Sequence, residues 1–283
     1  MDPQLMIYYS IIYVFVFLFG VCIGSFLNVC IYRLPLGESL IKQNSHCMTC
    51  NEPIKRRDLI PIISWCFLRG KCRSCGAKIS PRYTVVEFLN GLIYLLVFLH
   101  YDVAISPLYA SLVSLLFSAL IVVFFMDWDT QLINTYVVIF IALLAIPEYL
   151  FCRPETELTL RSHIIGAFAI SVPLLIIVLI SHEKAMGMGD VYLMAAGGLF
   201  LGVKGILVAM LIALIVGSVC GLILKRINGD SVFAFGPYLS VGIAVAVIWG
   251  NQISDWYMDF TGLNETLGDT VTETAMLITA VLR

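Results

Sequence analysis

The sequence predicts an all-α polytopic membrane protein of about eight transmembrane helices, interrupted by one large cytoplasmic loop. Three observations carry that expectation. Of 283 residues, 60% are apolar and only 13% charged, with a mean hydropathy of +0.95. An ordinary soluble domain is about half apolar and a quarter charged, so that class is excluded. The apolar residues also come in long runs rather than short alternating stretches. Finally, ten of the 17 Lys and Arg residues fall between Arg33 and Arg82. Positive loops stay on the cytoplasmic side, which places that segment and orients the rest.

The first span covers Met6 to Ile31, with the amino terminus outside. It is too long for a cleaved leader core, and no small-residue cleavage site follows, so it is expected to be retained. Gly24 and Ser25 are small enough for close helix packing. Asn28 is a polar group in apolar sequence and is expected to bond another helix. Arg33 anchors the cytoplasmic end, and Pro35 is expected to block continuation. Later spans run Tyr83–His100, Leu108–Met126, Ile133–Phe151 and His163–Ile180. A short one follows to Leu201, then Ile206–Leu224 and Phe233–Trp249. Cys152–Arg161, with Pro154, Glu155 and Glu157, is expected as an outer loop. Lys204 is a lone cation on the outer side. The segment from Asn251 carries Asp255, Asp259, Glu265, Asp269 and Glu273 against Arg283 alone. Four regions result: a first span (1–33), a cytoplasmic loop (34–82), a helical membrane domain (83–250) and an acidic tail (251–283). No internal repeat is visible.

The nine cysteines divide into two groups. Cys47-Met48-Thr49-Cys50 and Cys72-Arg73-Ser74-Cys75 each can hold one side of a tetrahedral ion. Four thiolates in a reducing compartment favour zinc, and a cytoplasmic loop disfavours disulfides. Four protein ligands close the site, so the metal is expected to be structural, in a zinc-ribbon-like loop. A loop this small builds little core, and the ion would supply its folding energy. His46 is expected to be a bystander. Cys22, Cys30, Cys66, Cys152 and Cys220 read as small apolar side chains.

The chemistry points to two acids. Ala185-Met186-Gly187-Met188-Gly189-Asp190 joins two apolar runs, and Asp127 closes another that begins near Leu112. A carboxylate at the centre of a membrane helix costs on the order of 2.5–3.5 kcal/mol, so such residues suggest function. Gly187 and Gly189 remove side chains where a backbone must come close to something. Two spans separate Asp127 from Asp190, so both fall at the cytoplasmic face. Neighbouring carboxyls do not both ionise easily and share one proton. Such a pair can activate a water and protonate a leaving amine. The plain alternatives are a helix cap for Asp190 and an interfacial charge for Asp127, with Asp129 its rival. The four histidines (His46, His100, His163, His182) accompany no nucleophile motif. Gly-x-Gly-Asp alone is a weak pattern; position, partner and topology give it weight.

Taken together, these residues resemble the type IV prepilin peptidases, or prepilin leader peptidase/N-methyltransferases, which are GxGD aspartic proteases. Gly24-Ser25-Phe26-Leu27-Asn28-Val29 with Tyr32-Arg33-Leu34-Pro35 is similar to their amino-terminal signature. The tetracysteine loop with Pro61-Ile62-Ile63-Ser64-Trp65 and Arg69-Gly70-Lys71-Cys72, the stretch Arg82–Glu87, Asp127, the Asp190 motif and Phe235-Gly236-Pro237 follow the same pattern. The likeness spans Gly24 to Pro237. Asn134 stands where the family usually has Pro, Tyr192 where Lys is common, and the acidic tail has no counterpart.

The resemblance implies an aspartic endopeptidase that removes the basic leader from type IV prepilins or pseudopilins at the cytoplasmic membrane face. N-methylation of the new terminus with S-adenosylmethionine would follow. It implies catalytic Asp127 and Asp190, supported by Gly187 and Gly189, and a structural zinc ion on Cys47, Cys50, Cys72 and Cys75. It also implies a bacterial inner-membrane location with a periplasmic amino terminus. Membrane lipid and pilus or secretion-system assembly proteins are the expected partners, and nucleic acid is not. No Rossmann-type glycine fingerprint marks the methyl-donor site, and Gly70 and Lys71 are the expected contributors. Two rivals remain: a presenilin-like protease using Tyr101-Asp102, and a proton-coupled transporter, which predicts acids near the midplane of repeated halves.

Overall fold

In lipid every backbone polar group must be satisfied within its own segment, which is why helices dominate here. The computed structural model describes residues 3–42, 44–152, 158–184, 186–228 and 234–262. The helices are α1 (Pro3–Leu36), α2 (Ile63–Phe67), α3 (Arg82–Tyr101), α4 (Pro107–Thr130) and α5 (Thr135–Phe151). They continue with α6 (Leu160–Ala169), α7 (Ser171–Ser181), α8 (Met188–Asn228) and α9 (Gly236–Phe260). Two isolated β-bridges, both in the loop between α1 and α3, are the extended pairing among the described residues.

Helix α4 lies at the centre. Val113, Leu116, Val123 and Met126 along it are fully buried, and α1, α3, α5 and α9 pack around it. Small residues set the closest approaches, as expected where lipid supplies no hydrophobic drive between helices. A Cβ on Gly24 would stand 2.7 Å from the Cα of Glu87, so α1 and α3 meet backbone to backbone there. A polar relay crosses the same seam. Asn90 donates to Gly20 O at 2.7 Å and accepts from Ser118 Oγ at 2.8 Å, tying α1, α3 and α4 together.

Several expectations need correction. Pro35 does not end α1, since its missing N–H breaks only one bond; Leu36 follows it in the helix. The stop is Gly37, at φ 68°, where Glu38 N–H bonds Arg33 O in a glycine-capped terminus. Among the described residues, five helices are long and apolar enough to cross a membrane, where eight spans were expected. Three elements make the difference. Helix α5 is shorter, α9 is more polar, and two expected spans are merged in α8. That helix carries a break at Gly202, φ 68° and ψ −173°. A Cβ on Gly197 would lie 3.5 Å from Ile206 Cδ1, so the chain doubles back at Gly202. The span expected from His163 to Ile180 is likewise two helices, α6 and α7, meeting at Ile170.

Helix α9 also runs to Phe260, so the first part of the acidic segment, residues 251–260, is helical. Its Asp255 pairs with Lys204 at 3.3 Å, which gives the expected lone cation a partner. Asn134 caps α5, its side chain accepting from Tyr136 N–H at 2.9 Å. A helix start that lacks the family's proline is therefore still fixed. Pro154, Glu155, Glu157, Ala185, Phe233, Glu265, Asp269, Glu273 and Arg283 lie outside the described residues.

Candidate active site and cysteine loop

Asp127 sits one turn from the C-terminus of α4, and Gln131 in the left-handed conformation closes that helix onto Asp127 O. A carboxylate there faces the negative end of its own helix dipole. The compensation comes from α9. The Gly236 amide, at that helix's positive end, donates to Asp127 Oδ2 at 3.0 Å. Both Asp127 and Asp190 are buried.

Asp190 is in the first turn of α8, where the dipole favours a carboxylate. Its own amide bonds Gly187 O at 3.3 Å. The two acids, expected to meet, are close enough that the charge of Asp127 acts on Asp190. Ile133 packs beside both acids, against Gly189 next to Asp190 and against Gly236, whose amide holds Asp127. A Cβ on Gly189 would stand 2.9 Å from Ile133 Cβ, and one on Gly236 would stand 3.1 Å from Ile133 Cδ1. Gly189 is thus needed for packing beside the dyad. Gly187 has no such crowding, since its nearest outside atom is 4.0 Å away.

Asp129 does not join the pair. It binds Arg82, with Nη1 2.7 Å from Oδ2, and Arg82 Nη2 also reaches Phe125 O at 3.4 Å. The Arg82 guanidinium lies 4.6 Å over the Phe125 ring. Arg82 therefore grips the face of α4 that carries Phe125 and Asp129, opposite the direction of Asp127. The sequence marks Arg82 as a loop cation and part of a family-like stretch, but not this grip. Tyr101 and Asp102 sit at the other end of α3, about 30 Å away at 1.5 Å per residue. There Tyr101 donates to Val247 O at 2.9 Å.

The cysteine loop is built from two matching turns. Cys47 N–H bonds Glu52 O and Asn51 N–H returns to Cys47 O; Cys72 N–H bonds Ala77 O and Gly76 N–H returns to Cys72 O. The bridges His46–Pro53 and Lys71–Lys78 repeat the same offset. Asn51 (φ 57°) and Gly76 (φ 72°) fill equivalent left-handed positions, which Gly and Asn tolerate best. The two Cys-x-x-Cys motifs therefore fold as a short structural repeat. It brings Cys47, Cys50, Cys72 and Cys75 together, all four Sγ atoms within 4.8 Å of one another, so the cluster could hold a metal ion. The Cys47–Cys75 separation is 3.8 Å. A tetrahedron of thiolates at about 2.3 Å from zinc has edges of about 3.8 Å. Arg73 clamps Asp58 with two bonds of 2.8 and 2.6 Å and holds that carboxyl below its ordinary range.

The loop rests on the membrane core through a few bonds. Asn28 Nδ2 donates to Tyr83 O at 2.9 Å, the helix-to-helix bond expected of it. Arg33 donates to Ser39 O and Asn44 O. Ile62 donates its amide to Glu87 Oε2 at 2.7 Å. Ile62 itself has φ 60° and ψ −56°, with Ile63 N–H bonded to Pro61 O. A β-branched residue in that tight turn is strained, and such strain gathers at functional positions. Between the loop and the α1–α3 pair lies a cavity of about 440 Å³, lined among others by Ser25, Asn28, Ile62, Trp65, Tyr83 and Glu87. Gly70 and Lys71 are outside that lining. Gly70 instead backs onto Trp65, whose ring a Cβ would meet at 3.0 Å.

Comparison with known proteins gives the family. The Bacterial Peptidase A24 N-terminal domain matches residues 18–101, and the Type IV leader peptidase family matches residues 114–222. Named relatives include the prepilin leader peptidase/N-methyltransferases of Aeromonas salmonicida and Aeromonas hydrophila. The first is 31% identical over 280 residues and the second 32% over 279, each covering 86% of this chain and 92% of the relative. That of Neisseria gonorrhoeae is 34% identical over 251 residues, covering 78% and 85%. No solved structure matches.

Proposed function

Because the chain belongs to the type IV leader peptidase family, we propose that Asp127 and Asp190 form the dyad of an aspartic endopeptidase. Its substrates are type IV prepilins or pseudopilins, cut between the basic leader and the apolar helix at the cytoplasmic membrane face. The observation that carries this reading is one juxtaposition. Two buried carboxylates, from helices far apart in sequence, flank the same side chain, Ile133, through Gly189 and Gly236, and a backbone amide orients one of them.

The chemistry follows from that pair. One proton is shared between the carboxyls. The ionised member takes a proton from a water as the water oxygen bonds the scissile carbonyl carbon. The protonated member hydrogen-bonds the carbonyl oxygen, then the C–N bond breaks and the leaving amine receives a proton. The proton belongs to the pair, so neither residue is the permanent acid. Gly236 holds Asp127 in place, and Gly189 lets α8 approach Ile133.

The same reading includes N-methylation of the new amino terminus, with S-adenosylmethionine supplying an activated methyl group when bound. The four cysteines would hold a structural Zn²⁺; their spacing suits tetrahedral thiolate coordination. The enzyme would lie in the bacterial inner membrane, with the cysteine loop cytoplasmic and the amino terminus periplasmic. Pilus or secretion-system assembly proteins would be its neighbours.

The presenilin-like alternative needs Tyr101-Asp102 near Asp190, and that pair sits at the far end of α3. A transporter needs acids near the midplane, whereas Asp127 and Asp190 sit at helix ends. The test is cleavage of a prepilin-like substrate by Asp127→Asn and Asp190→Asn variants. Each should lose at least about 10²–10⁴-fold in rate. Full processing by either variant removes the dyad.

A further inference from the structure

We propose that the cavity between the cysteine loop and the α1–α3 pair is the methyl-donor site, with Glu87 on its wall facing the sulfonium cation. This rests on the methylation reading above and gives it a location. At about 440 Å³, the space falls within the roughly 300–1,000 Å³ of small-molecule sites. Its lining suits the ligand's three chemistries. Trp65 and Tyr83 offer flat rings for a purine. Ile62 and Val29 offer apolar surface. Glu87 is the buried carboxylate among the lining residues.

Glu87 accepts from the Ile62 amide at 2.7 Å, and Ser25 lines the same cavity. A carboxylate has about four acceptor positions, so the bond from Ile62 leaves capacity for a ligand cation. The same bond fixes the loop over the cavity. The Ile62 turn is strained, and strain of this kind is kept where it positions something.

The site is also near the chemistry it must serve. Residues five apart on a helix differ by about 140° in direction. Arg82 therefore points from the start of α3 to the end of α4, at Phe125 and Asp129, while Glu87 points to the loop. The start of α3 thus adjoins both the α4 terminus that carries Asp127 and the cavity. Gly70 acts here as a positioning residue, because it packs behind Trp65 rather than lining the space.

The experiment uses the full chain in lipid nanodiscs. A photoreactive azidoadenosyl analogue of S-adenosylmethionine is crosslinked to unmodified protein, and the adducts are mapped by mass spectrometry. Adducts within Ile62–Trp65 or Tyr83–Glu87 support the assignment. Saturable labelling confined to Arg69–Arg73, or to any segment away from the cavity, overturns it while leaving methylation intact. In parallel, affinities for S-adenosylmethionine and the neutral S-adenosylhomocysteine are compared. The unmodified protein should prefer the cation by about 10-fold, the size of a contact to a charged group. Glu87→Gln should lose that preference while still binding the neutral compound. An unchanged preference overturns the role of Glu87. Saturable binding of neither compound to the unmodified protein overturns the methylation reading along with the site.

Discussion

The amide of Gly236 donates to Oδ2 of Asp127 at 3.0 Å, across 109 residues of sequence. This contact joins the start of α9 to the end of α4 and fixes one carboxylate of the proposed dyad. A Cβ on Gly236 would lie 2.7 Å from that oxygen and 3.0 Å from its carbon. Gly236→Ala must therefore move the carboxylate or the helix terminus. A misplacement of about 1 Å can cost about 10²-fold in rate. Leader cleavage should fall by that order while the purified protein keeps a near-normal melting temperature. Unchanged cleavage would show that the Gly236 contact does not position the dyad.

Arg82 offers a second handle on the α4 terminus that carries this acid. Its planar fork reaches Asp129 and Phe125 O and stacks on the Phe125 ring. Lysine keeps the charge but cannot reproduce the fork or the stacking. The Arg82–Asp129 pair is over a third exposed, so its stability contribution is about 1 kcal/mol or less. Arg82→Lys should accordingly leave thermal stability nearly unchanged and slow leader cleavage severalfold. A steady-state assay that found kcat intact would mean Asp127 holds its position without this grip.

Much of this site could be read from residues alone, for stated reasons. Long apolar runs gave the helices, and the placement of Lys and Arg gave one face to both Asp127 and Asp190. The two Cys-x-x-Cys motifs gave the cluster, because ligand spacing is local. What escaped was contact between distant segments. Nothing in the sequence near Asp127 says that Gly236 donates to it, or that Arg82 grips the same helix end. Glu87 accepting from Ile62 is similarly hidden, since a strained turn at an isoleucine has no compositional mark. Gly202 as the point of reversal and Gly37 as the stop for α1 were visible only as glycines. Positive φ, not the neighbouring Pro35, decides where α1 ends.

Gly70 combines both kinds of constraint. Its φ is 66°, and a Cβ would meet Trp65 at 3.0 Å. Gly70→Ala should cost roughly 1–2 kcal/mol of local stability from the backbone alone, and it should push on Trp65. The expected result is faster proteolysis within residues 44–81, with the helical core still resistant. Limited proteolysis followed by mass spectrometry reads both regions at once. Equal loop cleavage in the variant and the parent would show that Gly70 is not holding Trp65.

The strongest dependence should be on the metal. Between α1 and α3 the loop has one five-residue helix, one short 3-10 turn and two bridges, too little buried structure to fold on its own. Four thiolates around one zinc ion can supply the missing free energy, about 10–16 kcal/mol in isolated zinc-binding peptides at neutral pH. Purified protein should contain one zinc per chain by elemental analysis. Stripping it with a strong chelator should expose residues 44–81 to protease while the membrane helices stay protected. Because Ile62 would then no longer be held against Glu87, S-adenosylmethionine binding should fall with the metal. Cys72→Ser should reproduce both effects without chelator. A metal-free protein that kept an intact loop would contradict the structural role assigned to the four cysteines.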